Sequence, residues 1–230
     1  TFVTAPHIRA WETKSGRLLK EWSAGDEYIN SYTFSADRTQ VGVLHNQLPQ
    51  AHSIERLELP ALKPKDNLRR DGHAWADLLF SSNGSMAAIH ERNIELLDLD
   101  QGRLAASLKV TRTTSGLLAF TPDDRFVLTR MSDRSIAVWE LASQQVAGLL
   151  KGHRATVVTV AFAPGGRYLA SGDYTLTSPE AMAEPRQIRF WDLRTGKQVA
   201  VLNGHDSDVS SLAFSPDGTM LISGHQDSTV

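Results

Sequence analysis

Two positions recur along this chain at a spacing that limits its possible folds. The first holds a phenylalanine in each of five copies. These are Phe34, Phe80, Phe120, Phe162 and Phe214. The second lies 23 residues before each phenylalanine and holds tryptophan or leucine. Its members are Trp11, Leu57, Leu97, Trp139 and Trp191. From each phenylalanine to the next second position, the distance varies between 17 and 29 residues. A period near forty residues indicates a repeat architecture, with its length variation confined to one half of the unit.

The stretch 152–192 is the most complete copy of the repeat. Val157–Phe162 is apolar and β-branched, which predicts a strand. Ala163–Gly166 predicts a tight reversal, because proline presets the first turn dihedral and glycine accepts a positive φ. Three further strands are predicted at about 167–171, 187–192 and 198–202. Four short antiparallel strands joined by tight turns predict one blade of a β-propeller.

Over the whole chain, the repeat predicts an all-β propeller with four full four-stranded antiparallel blades and a partial blade at each end. We expect one domain, 1–230, with blades at about 1–22, 28–65, 74–108, 115–150, 157–202 and 209–230. The first and last copies are incomplete, so we expect this sequence to be a fragment of a longer chain. The alternative is a five-bladed ring, in which strands at 209–224 and 7–22 share one blade and remove exposed sheet edges.

Composition limits the classes of function. The formal net charge of -2 argues against a broad nucleic-acid or anionic-membrane footprint. No run approaches the ~18 consecutive apolar residues of a membrane span, and no signal peptide is visible. The absence of cysteine excludes disulfides and thiolate metal sites. The eight histidines lack metal-ligand spacing, so we expect no metal and no cofactor. The compartment stays open, with a cytoplasmic location favoured.

A set of short motifs at matched positions carries a family resemblance. They are Gly152-His153, Gly204-His205, Trp139-Glu140, Trp191-Asp192 and the turn Ser215–Gly218. Together they resemble the WD-repeat family over essentially the whole chain. The resemblance implies a non-catalytic scaffold for protein–protein interaction. The late copies of the repeat match its pattern closely, whereas the early copies match it poorly. In this respect the chain is similar to bacterial multi-repeat proteins, in which such arrays often follow a kinase or another regulatory domain.

The resemblance also implies a hydrogen-bonded network within a blade, made by histidine, serine or threonine, aspartate and tryptophan. Carried over position by position, its members are His153, Ser171 and Trp191 in the fifth blade, Thr129, Asp133 and Trp139 in the fourth, and His205, Ser223 and Asp227 in the sixth. The aspartate position of the fifth blade, six residues before the tryptophan, holds Pro185. We therefore expect that network to be incomplete, and we interpret all of these residues as structural.

Loops between second and third strands vary most in length, and in a propeller they emerge on one face. Loops on a rigid scaffold are where binding residues concentrate. One insert runs over 173–186, and a second long loop is predicted over 45–52. The candidate partner contacts are Tyr174, Leu176, Met182, His45, Gln47, Leu48 and Arg134. A tolerated surface insertion that packs on its own blade explains the insert equally well.

The competing function class is a propeller enzyme, a hydrolase or an oxidoreductase, with its site at the central channel. Such a site needs polar or ionisable groups converging from several blades. The first strands read ATVVTVAF, SDVSSLAF and SGLLAF, which supply mainly small or apolar groups. No HExxH, GxSxG or phosphate-binding glycine motif is present. We therefore expect no catalytic residues. The expected partner is another protein, or a further domain of the same chain, and neither nucleic acid nor membrane.

Overall fold

The computed structural model describes residues 7–25, 28–35, 38–47, 51–71, 77–90, 93–110, 114–174, 186–205 and 207–225. Regular secondary structure in these residues consists of β-strands joined by turns. The chain divides into two compact units, Thr1–Lys109 and Val110–Val230. The assignment of all blades to one domain stays a prediction.

Unit one contains one two-stranded and two four-stranded antiparallel sheets, which we name blades A, B and C. Blade A comprises β1 (His7–Trp11) and β2 (Leu18–Ser23); blade B comprises β3 (Tyr28–Phe34), β4 (Gln40–Gln47), β5 (Ala51–Glu58) and β6 (Lys63–Asp71); blade C comprises β7 (Asp77–Phe80), β8 (Met86–His90), β9 (Ile94–Asp98) and β10 (Arg103–Leu108). Within each blade, neighbouring strands follow chain order, as expected for strands joined by short turns.

Unit two repeats this arrangement with two four-stranded sheets and one two-stranded sheet, named blades D, E and F. Blade D comprises β11 (Thr114–Phe120), β12 (Phe126–Met131), β13 (Ile136–Glu140) and β14 (Gln145–Leu150); blade E comprises β15 (Thr156–Phe162), β16 (Tyr168–Tyr174), β17 (Arg186–Asp192) and β18 (Lys197–His205); blade F comprises β19 (Val209–Phe214) and β20 (Leu221–His225). The predicted all-β class, with four full blades and a partial blade at each end, is confirmed.

The turn between first and second strands has the same construction in most blades. A hydroxyl at its first residue accepts a backbone N–H from five residues further on, as Thr121 Oγ1 does from Phe126 N at 3.0 Å. The fourth residue has a positive φ, 53° at Asp124 and 71° at Gly166. Aspartate and glycine tolerate this region better than most residues. A local sequence signal therefore fixes each reversal and, with it, the pairing of the first two strands.

The apolar core lies between consecutive blades of a unit. In unit one, Leu44 and Ile54 of blade B cluster with Leu78, Phe80 and Leu97 of blade C. A single blade cannot bury both of its faces, so each depends on its neighbour for stability.

Unit two follows the same rule. Leu128, Ile136 and Leu150 of blade D pack with Val157 and Trp191 of blade E. The joint between the next two blades adds an edge-to-face pair, Phe190 with Phe214, at a centroid distance of 5.9 Å.

The predicted loop over 45–52 is wrong at both ends. Strand β4 continues through Gln47 and β5 begins at Ala51, with His45 opposite Ser53 and Gln47 opposite Ala51. The hairpin is lengthened by added strand pairing, which gives the backbone groups partners that an open loop would lack. Of the predicted loop, only 48–50 falls outside the described residues.

Candidate interaction surface and the network beneath it

Blade E contains a buried chain of four hydrogen-bonded side chains. Trp191 Nε1 donates to Ser171 Oγ at 2.7 Å. Ser171 Oγ lies 2.6 Å from His153 Nε2, and His153 Nδ1 lies 2.8 Å from Asp173 Oδ2. All four residues are buried, with Ser171 entirely inaccessible. The structure thus brings together the three residues expected in this blade and adds a fourth.

Strand geometry explains how one short segment supplies two members of the network. Ser171 and Asp173 are two residues apart on β16, so their side chains emerge on the same face of the sheet. Gly172 between them faces the other way, where a Cβ atom would lie only 2.6 Å from Val209 Cγ1 of blade F. The serine–glycine–aspartate order therefore serves the network on one face and close blade packing on the other.

The expectation of an incomplete network in blade E is wrong. The repeat spacing predicts the aspartate six residues before Trp191, where Pro185 stands. Asp173 instead supplies the carboxylate from the end of the second strand. The insert separates the second and third strands in sequence, so counting back from the tryptophan no longer leads to the right residue. The sequence signal that identifies Asp173 is its position two residues after Ser171.

The pattern of hydrogen-bond donors and acceptors in this network fits a neutral His153 imidazole. With Nδ1–H donating to Asp173, Nε2 is left as an acceptor for the Ser171 hydroxyl, which in turn accepts the Trp191 indole N–H. Burial opposes ionisation of Asp173. However, the hydrogen bond from His153, with backbone N–H groups of Gln187 and Ala155, outweighs burial and holds the pKa of this carboxyl below its usual range.

The order serine, histidine, aspartate resembles the relay of a serine hydrolase, but burial prevents that chemistry here. A nucleophilic serine must reach a substrate carbonyl beside oxyanion-stabilising donors. Ser171 has no accessible surface, and its oxygen already receives the Trp191 indole N–H. The arrangement therefore acts as a structural clamp within blade E.

Blade D holds a reduced form of the network. Trp139 Nε1 donates to Thr129 Oγ1 at 3.0 Å, and both side chains are buried. Asp133 is exposed, and its carboxylate accepts bonds from the hydroxyl and backbone N–H of Ser135, which lower its pKa. It stabilises the turn between β12 and β13. The residue in the histidine position, Thr111, lies outside the described residues.

Blade F differs from the expected arrangement. Ser223 Oγ lies 2.9 Å from His225 Nε2 on the same strand. His205 ends β18 and pairs through its backbone with Arg186 of blade E. The predicted aspartate member, Asp227, lies outside the described residues.

The candidate partner contacts lie in different structural environments. Arg134 is exposed in the turn between β12 and β13, at φ 70°. Tyr174 is the last residue of β16 and is half-buried, so it belongs to the strand rather than to a free loop. Gln47 ends β4. The predicted contacts Leu48, Leu176 and Met182 lie outside the described residues.

His45 does not offer a surface to a partner, because it lies in β4 with only 4% of its surface exposed. Its ring meets the Trp22 ring edge-on at 5.9 Å, and its Nε2 lies 3.6 Å from Glu55 Oε2. Glu55 Oε1 also accepts the Trp22 indole N–H at 3.2 Å. This cluster links blade A to blade B, and the loop interpretation of His45 missed it.

Sequence reasoning also missed Arg56, whose side chain is almost fully buried. Its guanidinium reaches from blade B to blade C and donates to the backbone oxygens of Gly84 and Leu99, both at 3.0 Å, and to Asp100 Oδ1 at 2.9 Å. The only sequence signal for this role is that a charged residue precedes Leu57, the repeat position that holds tryptophan or leucine. Planar donors in a fixed fork suit such a junction.

Neither metal coordination nor a membrane span is found in the described ranges. No group of three or more histidine and carboxylate side chains there could hold a metal ion. No helix there is long and apolar enough to cross a bilayer.

Comparison with known families identifies the repeat. The family model described as "WD domain, G-beta repeat" matches residues 144–192 and 196–230, which include the whole blade E network. These two segments of the chain match WD repeats. WD-repeat relatives typically serve as scaffolds for protein interactions and are generally non-enzymatic.

Three relatives illustrate the similarity. WD repeat-containing protein SL1-17 of Schistosoma mansoni is 27% identical over 66% of this WD-repeat chain and 47% of its own length. Eukaryotic translation initiation factor 3 subunit I of Culex quinquefasciatus is 44% identical over 20% of the chain and 14% of its own length. Guanine nucleotide-binding protein subunit beta-5b of Danio rerio is 46% identical over 19% of the chain and 11% of its own length. The chain spans less than half the length of each relative.

A solved structure supports the fold alone. Hydrazine synthase of Kuenenia stuttgartiensis matches 86% of this chain and 55% of its own, with a TM-score of 0.68 and 17% identity. With its four-stranded meander sheets, the chain has the β-propeller fold class.

Proposed function

We propose that this WD-repeat chain is a non-catalytic scaffold that binds another protein through the connections between second and third strands on one face of its blades. The observation that supports this proposal is the position of Asp173. Its carboxylate lies 2.8 Å from His153 Nδ1, and the backbone N–H of Gln187 is close enough to help lower its pKa. Asp173 lies at the end of β16 and Gln187 at the start of β17. The roots of the longest such connection, 175–185, therefore lie on either side of one buried carboxylate.

Fixed roots favour binding because a loop held at both ends loses less conformational entropy when a partner orders it. Arg134 occupies the corresponding connection of blade D. Blades D and E have the same strand order and pack first strand beside first strand. We infer that the two connections lie on the same face and contribute to one interaction surface.

Deletion tests this surface. The chain lacking 175–184 and the Arg134→Ala variant would each be immobilised and compared with the parent chain for capture of partners from a lysate of the source cells, identified by mass spectrometry. Arg125→Ala is the matched control, because Arg125 is an exposed arginine in the first-to-second-strand turn of the same blade. Circular dichroism and thermal melting would report folding.

We expect the deletion to abolish capture of at least one protein that the parent chain retains, and Arg125→Ala to leave that capture unchanged. Unchanged capture by a folded deletion variant would remove this connection from the interaction surface. A further domain of the same longer chain is the alternative partner. It would be recognised as binding in trans to the purified repeat chain.

A further inference from the structure

We propose a second binding site on unit two, away from the loop face. It is a groove beside the outer edge of blade D, and it takes an extended segment of a partner protein that carries aliphatic and acidic side chains. The segment adds to β14 as a fifth strand.

The groove has a volume of about 480 Å³ and runs from the outer strands of blade D to the turn between β17 and β18. Phe126, Val138, Leu150 and Leu193 give it an apolar floor. Val138 and Leu193 also pack against the buried core of the unit, so the floor is fixed by the blade junction. A floor of this kind suits aliphatic side chains.

Strand β14 forms one wall of the groove through residues 147–150. It ends its sheet, with β13 as its hydrogen-bonded neighbour among the described strands. Its sequence, QVAGLL, carries no charge, and Val146 and Leu149 are each 43% exposed. Edge strands in soluble proteins are commonly protected by lysine, proline or a covering element. This one resembles the edges to which an extended peptide adds by backbone hydrogen bonding.

Gly148 gives the segment room to approach. A Cβ atom at this position would meet nothing within 4 Å, so the middle of β14 has open space beside it and no side chain to fill it. Its φ is not among the positive values of the chain, and turn geometry therefore does not require glycine here. A side chain of the partner can enter the groove over this point.

Charge selects acidic residues in the partner. Arg194 is exposed at the rim of the groove, and no carboxylate lies among the described lining residues. The neighbouring Asp192 pairs mainly with Arg167 at 2.8 Å, and this pair, together with the weaker effect of the Arg194 charge, lowers the pKa of the aspartate. A carboxylate of the segment can therefore pair with Arg194, at a partly exposed position where the gain is specificity more than affinity.

The test uses the full chain and a capped synthetic peptide, TVDVTLDV, with fluorescence anisotropy as the readout. Three changes address the three parts of the proposal. Gly148→Phe fills the groove, Arg194→Glu reverses the rim charge, and alternate N-methylation of the peptide removes backbone donors. Val199→Phe is the control for the first, because Val199 is 54% exposed on β18, the outer strand of blade E. Arg103→Glu is the control for the second, because Arg103 is an exposed arginine at the start of β10, outside the groove.

We expect Gly148→Phe to weaken binding roughly tenfold or more, about 1.4 kcal/mol or more, and Arg194→Glu to weaken it by a smaller factor, roughly three- to fivefold. The two controls are expected to bind like the parent chain, and the N-methylated peptide to lose binding. Arg194→Glu should also favour the lysine peptide TVKVTLKV over TVDVTLDV. Hydrogen exchange should slow at β14 amides when the peptide binds.

Failure of the parent chain to bind TVDVTLDV would overturn the proposal, as would equal weakening by Val199→Phe. If Gly148→Phe does not fold, the charge swap with the lysine peptide decides. The chain lacking 175–184 should bind the peptide normally, since this site does not depend on the loop face.

Discussion

His153 Nδ1 lies 2.8 Å from Asp173 Oδ2, and this contact completes a network for which the sequence spacing offered only Pro185. The contact crosses from the segment before β15 to the end of β16. It therefore holds the start of blade E and the root of its long connection to a single carboxylate.

Removing this carboxylate should destabilise unit two. Asp173→Ala leaves the buried imidazole N–H of His153 without its acceptor. A loss of about 1–3 kcal/mol is expected for orphaned buried donors. Urea unfolding followed by tryptophan fluorescence measures it. Asp133→Ala, at an exposed turn carboxylate, serves as the control and should cost clearly less. Equal losses would show that the Asp173 network adds nothing beyond a surface turn.

The same carboxylate should give unit two an acid-sensitive component of stability. The folded pKa of Asp173 lies below its ordinary value, chiefly because the bond to His153 overcomes the effect of burial. Its stabilisation is therefore present above the unfolded pKa of ~3.9 and is lost as pH falls through the folded pKa.

Unfolding free energies of the parent chain and of Asp173→Asn, measured from pH 6 down to pH 3, isolate this component. The parent chain should lose more stability on acidification than the variant. Parallel pH curves for the two proteins would contradict the assignment.

Arg56 should be essential to the joint between blades B and C. Arg56→Met keeps an unbranched side chain but removes all donors to Gly84 O, Leu99 O and Asp100. We expect a loss of about 1–3 kcal/mol, because the buried carbonyl oxygens of Gly84 and Leu99 lose their donors while the Asp100 carboxylate is largely exposed to water. Thermal melting and native-state hydrogen exchange over β7–β9 check it. Arg17→Met, at an arginine whose side chain is 67% exposed, is the control. A small change at Arg56 would mean that water replaces the lost donors.

Two glycines within strands, Gly42 in β4 and Gly148 in β14, should respond differently to substitution by alanine. A Cβ at Gly42 would overlap the Phe80 ring of the next blade, whereas one at Gly148 meets nothing within 4 Å. We expect Gly42→Ala to cost about 1–3 kcal/mol through overpacking. Gly148→Ala should be neutral or slightly stabilising, since it restricts the unfolded chain. The comparison uses chemical unfolding of the two variants. Equal tolerance would show that Phe80 can turn aside at little cost.

The sequence by itself determined the blades. Turn chemistry such as Thr121–Asp124 and the alternation within strands are local properties, so they specify where each strand reverses and which face is apolar. The 23-residue spacing also placed Trp139 and Trp191 correctly in their third strands.

Only the tertiary structure decided which polar groups meet. Asp173 could supply the carboxylate because the pairing of β16 with β15 sets it opposite Val157 and brings it within reach of His153. Arg56 became a buried junction because blade C supplies carbonyl oxygens at its tip. His45 became buried because the Trp22 ring covers it. Burial and hydrogen bonding depend on neighbours from other blades, and the spacing within one repeat carries no record of them.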